Sequence, residues 1–416
     1  MPDQLLELAQ EQPAPGHYSV MIQFLAVILA LVLLAVTLQD AFEVMLLPRR
    51  INRRFRFMRV YFRACWAAWG ALARHIKHPP RREHMLSLFG PLSMLLLFAL
   101  WAGTLISGFG LLEWALQGPN RSSLPEQAYM SGVTFFTLGY GDVVPHTGAA
   151  RLMAVLEAGT GIGFIAVVIG YLPVLYQLFS RREAHVIQLD ARAGSPPIAV
   201  TMLCRHADGG GMDKVDPLLR EWEIWGSELL ESHLSYPMLA YYRSQHDNQS
   251  WLAALAVMMD TCAMILVGME AIPPFQARMT FSMTRQVLVE MAGSFLIEPT
   301  RHDNEDRLPP EVWRRMMAEF AEAGVAWTEN PGTRDTLAAL RATYEPLLDG
   351  LSHRLLLPLP GWMPEGKVVD HWARGHRGLI ASRLMDGLTD RSDPKLVPAG
   401  RSSPLWRRLR RSLRED

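Results

Sequence analysis

The stretch whose residue types and spacing can do chemistry is Thr137-Leu138-Gly139-Tyr140-Gly141-Asp142. That chemistry is coordination by the backbone, not catalysis. Gly139 and Gly141 permit backbone angles that a Cβ would penalise, so successive carbonyls can point at one axis. A cation that sheds its water needs replacement oxygens at similar cost, and rings of carbonyls can supply them. The Asp142 carboxylate gives a local negative field that concentrates cations. In isolation a Gly-Tyr-Gly stretch is more often an ordinary turn, so the elements around it decide its meaning.

Those elements are apolar. The chain has 416 residues, half of them hydrophobic, yet a mean hydropathy of only +0.08. A strongly apolar part is therefore joined to an ordinary soluble part, with room for two or three domains. Three runs are long enough to cross a bilayer, which takes about 20 helical residues: 18–38, 86–116 and 151–178. Between Val20 and Leu38 stand thirteen Val, Ile, Leu or Phe. At roughly 0.3–0.6 kcal/mol each, they favour insertion by about 4–8 kcal/mol. Residues 1–19 carry Asp3, Glu7 and Glu11 and no Lys or Arg, unlike the basic start of a cleaved signal. The first run is expected to stay as an anchor. Gly90-Pro91 predicts a kink near the start of the second.

The formal net charge of zero hides a segregation of charge. From Arg49 to Glu83 there are eleven Lys or Arg and one acid, which predicts a cytoplasmic loop. The N-terminus and the segment 117–150 are then outside. Arg181-Arg182 close the third run on the inside, and the C-terminus is cytoplasmic. Three scattered cysteines, Cys65, Cys204 and Cys262, suit neither a disulfide framework nor a zinc site. Nothing argues for nucleic-acid binding.

The hexapeptide lies between the second and third runs, directly after a short apolar helix expected over 128–136. In this setting the sequence resembles the potassium-channel pore family, over roughly Leu86–Leu178. The resemblance implies that the carbonyls of Thr137, Leu138, Gly139 and Tyr140 line K+ sites, with the Thr137 hydroxyl as the innermost ring. It also implies that Tyr140 points away from the pore and braces the filter, and that Asp142 stands at its outer mouth. Phe136 replaces a frequent Thr or Ser, and Leu138 a frequent Val or Ile; both are expected to pack behind the filter. The motif occurs once, so one chain supplies a quarter of the ring and a homotetramer is implied.

Gly159-Thr160-Gly161-Ile162-Gly163 lies inside an apolar helix without a preceding strand, which excludes a dinucleotide fingerprint. Gly161 and Gly163 are either a gating hinge or sites of close helix packing. Thr160 and 164–169 are candidates for the cavity wall. Glu157 is an intramembrane carboxylate, costly in lipid; it pairs with pore-helix groups such as Ser131 or Thr134, or it lines the cavity.

Arg50, Arg53, Arg56 and Arg59 recur at every third position, as in a voltage sensor. A sensor needs companion spans with buried counter-charges, and only one span precedes them. The expected role is lipid-facing: a juxtamembrane segment on anionic lipid, with Phe55, Phe57, Tyr61, Phe62, Trp66 and Trp69 dipping in.

The remainder reads as helical. Leu218, Trp222, Trp225 and Leu229 follow 4-3-4 spacing, and Pro-Pro pairs at 196–197, 273–274 and 309–310 punctuate the elements. Trp251–Gly268 is apolar but short, with Asp260 at its middle, and is expected to be a core helix rather than a fourth span. His206, Asp208, Asp213 and Asp216 are expected to form a polar loop rather than a cation site. Leu405, Leu409 and Leu413 beside five arginines leave a membrane-surface helix and a disordered tail both open.

The fold class is membrane all-α: three transmembrane helices with a re-entrant pore helix and selectivity-filter loop, plus a mainly α-helical cytoplasmic domain. The segments are 1–48 (N-terminus and first span), 49–83 (basic juxtamembrane), 84–180 (pore domain), 181–390 (cytoplasmic domain) and 391–416 (basic tail). The expected function is passive K+ conduction in a plasma membrane, bacterial inner membrane by style. It needs no catalysis and no cofactor, K+ being the transported ion. A ligand of the cytoplasmic domain remains unnamed. The rivals are a weakly selective cation channel and a membrane-anchored sensor or scaffold with a non-conducting pore.

Overall fold

The computed structural model describes residues 17–45, 57–117, 123–246, 248–298 and 306–364. Arg50, Arg53, Arg56, the Arg59 side chain and the tail with Leu405 lie outside the described residues. All described elements are helical. The chain divides into two compact units, 1–180 with 231–243, and 181–230 with 244–416.

In the first unit, α1 (His17–Met45), α2 (Phe57–Arg74), α3 (Pro79–Gln117) and α4 (Leu124–Phe135) lead to the long α5 (Gly148–Ala193). α1 packs on α3 through Ala30 and Leu34 against Ala102, Leu105, Phe109 and Leu112. Gly108 makes that approach possible, since a Cβ there would lie 2.9 Å from Leu34 Cδ2. Near the end of α1, Asp40 accepts a 3.0 Å hydrogen bond from Trp101 Nε1 of α3. The opposite face of α1 is exposed and apolar, from Val20 to Phe42.

At 1.5 Å per residue, α3 is about 58 Å long and α5 about 69 Å, roughly twice the hydrocarbon core. Both therefore carry on past the apolar runs. α3 continues through Pro91 without a break, although Pro91 has no N–H for the carbonyl four residues earlier. α5 likewise does not stop at Arg181-Arg182, where the apolar run stops; it continues to Ala193.

α2 corrects an expectation. Tyr61, Phe62, Trp66 and Trp69, expected to dip into lipid, meet protein instead. Phe62 and Trp66 are buried, Trp66 against Phe89 of α3 at 4.8 Å between ring centroids. Trp69 Nε1 donates to the Met85 carbonyl (3.0 Å) and the Tyr61 hydroxyl to that of Ser93 (2.7 Å). The amphipathic face is real, but α3 covers it.

In the second unit, α6 (Ala199–Asp208), α7 (Val215–Ser235, to Leu230 in this unit), α8 (Trp251–Gly268), α9 (Pro274–Phe295), α10 (Pro310–Glu322), α11 (Thr333–Ala342) and α12 (Glu345–Leu355) follow. The Pro pairs do punctuate: Pro273 and Pro309 cap helices that begin at Pro274 and Pro310, where a missing N–H costs nothing. Leu218, Trp222, Trp225 and Leu229 are all buried. α8 is the centre, wrapped by α6, α9, α11 and α12; 89% of its apolar stretch is buried. By length and composition it is a fourth candidate span, yet nearly all of its surface is spent on protein contacts. Asp260, inside α8, is bound by Arg307 Nη2 (2.8 Å) and by the Tyr344 hydroxyl (2.7 Å). Arg307 and Arg341 both reach Glu345 and both lie over the Trp362 ring.

Candidate functional site

The site is built from its supporting helix. α4 starts on a capping box: Ser123 Oγ accepts from the Glu126 N–H and Glu126 Oε2 from the Ser123 N–H (2.8 Å), with Pro125 in the first turn. Its other end is a Schellman cap, with Leu138 N–H to the Val133 carbonyl (2.8 Å) and Thr137 N–H to that of Thr134 (3.0 Å). Such a cap needs a left-handed residue, and Thr137 takes it at φ 59°. A β-branched residue there is strained.

The left-handed conformation recurs at every second residue. φ is positive at Thr137, Gly139 (61°) and Gly141 (75°), and at neither Leu138 nor Tyr140. Alternation of hand along a chain turns successive carbonyls toward the same side, whereas a strand points them to opposite sides. The two glycines meet the alternation without strain. A Cβ at either would meet nothing within 4 Å, so it is conformation rather than space that calls for glycine.

The loop is backed on one side by α4 and left open on the other. Tyr140 is 68% exposed and Leu138 55%, while the half-exposed Phe136 sets its ring edge-on to Phe135 at 5.4 Å. Asp142 accepts a 3.0 Å hydrogen bond from the Tyr129 hydroxyl of α4. Gln117, at the end of α3, donates through Nε2 to Gln127 Oε1 of α4 (2.7 Å) and accepts from the His146 N–H (3.3 Å). One side-chain amide thus ties α3 to α4 and to the chain leaving the loop.

α5 supports the site from behind. Gly161 packs against the end of α4, where a Cβ would overlap the Phe135 carbonyl; Gly163 has nothing within 4 Å. Thr160 Oγ1 donates to the Leu156 carbonyl. Glu157 is fully buried, and Ser131 Oγ of α4 lies in hydrogen-bond contact with its carboxyl group and with the Ile106 carbonyl of α3 (2.7 Å). Glu113 of α3 is also fully buried, with neither oxygen hydrogen-bonded. Sequence reasoning passed over Glu113, although it is the one acid between Leu86 and Leu116. It also passed over Gln117, whose partners stand 10 and 29 residues away.

Beyond this stripe α5 is bare, with only 11% of its apolar stretch buried; Leu152, Val155, Ile162, Ile169 and Tyr176 all stand exposed. Among the described residues no group of three His, Cys, Asp or Glu is fit to hold a metal ion. Asp213 instead pairs with Lys214 at 2.6 Å, which pulls its carboxyl below the ordinary value.

Residues 94–177 match the family model described as "Ion channel". The match begins in α3, takes in α4 and the alternating loop, and ends in α5. Among curated proteins the chain is similar to the uncharacterized membrane protein YdjJ of Bacillus subtilis (strain 168), 24% identical over 44% of this chain and 55% of that one. It is also similar to the protein LctB of Geobacillus stearothermophilus, 33% identical over 17% of this chain and 62% of that one. The alignments therefore span little more than half the length of these relatives. No solved structure matches. The chain is an integral membrane protein that contains an ion-channel domain.

Proposed function

We propose that the chain is one subunit of a homotetrameric, potassium-selective channel that conducts passively. The carbonyls of Thr137, Leu138, Gly139 and Tyr140 bind K+, with the Thr137 hydroxyl innermost and Asp142 outermost. The observation that carries this reading is the alternation of φ at 137, 139 and 141, in a loop between a capped pore helix and an apolar inner helix. Carbonyls turned to one side, four times over, make the rings that replace an ion's water. Non-helical backbone is tolerated at this depth only where it lines a pore or is buried in protein.

What a single chain leaves open supports the homotetramer. Leu138, Tyr140 and most of α5 are apolar or aromatic and exposed. Three further copies about one axis would cover the filter's outer side and the flanks of α5, and the remaining face of α5 would line the cavity. The basic stretch 49–83 faces anionic lipid on the cytoplasmic side, the N-terminus is outside, and the second unit is cytoplasmic and governs opening.

Gly139→Asp tests the assignment. It places a Cβ on a left-handed residue and a carboxylate beside the proposed rings. K+ flux into liposomes should vanish while the protein keeps its oligomeric size. Unaltered flux through Gly139→Asp would place the ion path elsewhere.

A further inference from the structure

The chain leaves the first unit after Ser180, returns for 231–243, and leaves again. That returning segment contains the 3-10 turn Pro237–Tyr241, and it fills a space between α5 and the pair α2–α3. On the α5 side, the Tyr236 ring lies tilted against Tyr171 (5.2 Å between centroids) and Met238 Sδ receives the Tyr171 hydroxyl (3.2 Å). On the other side, Tyr241 packs among Phe62, Trp66 and Phe89 at 5.2–5.8 Å. Tyr242 touches both sides: its ring is 5.6 Å from Phe179 of α5 and so close to Gly90 of α3 that a Cβ there would lie 2.7 Å from Cδ2. Arg243, its side chain 4% exposed, closes the segment on Glu83 of α3 at 3.4 Å. α3 and α5 meet ring to ring at Phe98–Tyr171; about two turns further along, at Phe179, it is Tyr242 that faces α5.

We propose that residues 236–243 are a wedge that holds the pore shut, by occupying the space into which the cytoplasmic half of α5 must move for the pore to widen. The proposal rests on the tetrameric reading above, in which α5 is nearest the axis and α3 outside it. Widening the pore at Tyr171–Phe179 then moves α5 toward α3. Met238, Leu239, Ala240 and Tyr241 are buried and close-packed, so that space opens only if the wedge shifts. Both ends of the wedge run directly into the second unit, at Leu230 and Ser244. A rearrangement there can therefore withdraw it through the backbone, without passing along α5.

The test is a charge swap on the full chain in liposomes, read as K+ flux with Na+ as comparison. Glu83→Arg sets like charges at the mouth of the seat and should raise K+ flux about fivefold or more, the lower range of coupling between sites. Glu83→Arg with Arg243→Glu restores the pair and should return flux toward wild type, which a merely misfolded variant would not do. Tyr242→Ala, which empties the seat at Gly90, should also raise flux, with the K+/Na+ ratio unchanged throughout. A silent wild type with conducting Glu83→Arg supports the wedge equally. A conducting wild type whose flux none of these variants raises overturns the wedge and leaves the pore assignment standing. Silence in the wild type and every variant overturns both.

Discussion

Gly161 of α5 lies against the carbonyl of Phe135, the last residue of α4, and a Cβ at Gly161 would overlap that oxygen. The contact fixes the height at which the alternating loop begins, because Phe136 and the Schellman cap follow immediately. A hinge and close packing both explain a glycine in such a helix. At Gly161 the packing requirement is explicit, and α5 is continuous across it.

Gly161→Ala should therefore cost about 1–3 kcal/mol, the usual penalty of overpacking. Gly163→Ala, with open space around it, should be close to neutral. Thermal denaturation of the purified protein measures both, and K+ flux should fall only in the first.

Ser131→Ala removes the hydroxyl in contact with the buried Glu157 carboxyl. A buried polar group left without its partner costs about 1–3 kcal/mol, whereas removing both partners is nearly neutral. The single substitution should lower thermal stability, and Ser131→Ala with Glu157→Leu should recover most of the loss. A double variant as unstable as the sum of the singles would show that the pair does not act as one.

In the second unit, Arg307→Met takes the guanidinium from Asp260, which is buried in α8, and leaves it the hydrogen bond from the Tyr344 hydroxyl. Breaking one partner of a buried ion pair costs about 3–5 kcal/mol. Unfolding by denaturant should show a loss of that size, and adding Asp260→Leu should reduce it.

Cys204 sits beside the α10 backbone. Burial first, then the nearby Glu319 and Asp208, push its thiol up to about 12. The reactive thiolate is thus scarce at pH 8 and grows only as pH climbs toward that value. Iodoacetamide should leave Cys204 unmodified at pH 8 in the native protein and label it after unfolding, as mass spectrometry of its peptide would register.

What the sequence makes legible here is local. Apolar runs and the alternating glycines are each written within a few residues, so helices and loop can be read directly; the Ser123–Glu126 cap, which starts α4 at Leu124 rather than at 128, was passed over. What covers a face is not local. The aromatic stripe of α2 is readable, but whether lipid or protein meets it depends on Phe89 and on Tyr241, which is nearly two hundred residues away. Asp260 argues against a span, yet its counter-charge comes from Arg307, 47 residues on. Glu113 and Gln117 gain meaning only once α4 folds back against α3. The extension of α5 past Arg181 was hidden because charge ends an apolar run without ending a helix. The basic spacing from Arg50 to Arg59 carries its reading on sequence alone.

The most direct test of the channel assignment is ion flux through the purified full-length protein in liposomes, K+ against Na+, with barium as blocker. The account predicts K+ flux well in excess of Na+ flux, abolished by barium. Equal fluxes of the two ions, insensitive to barium, would contradict it.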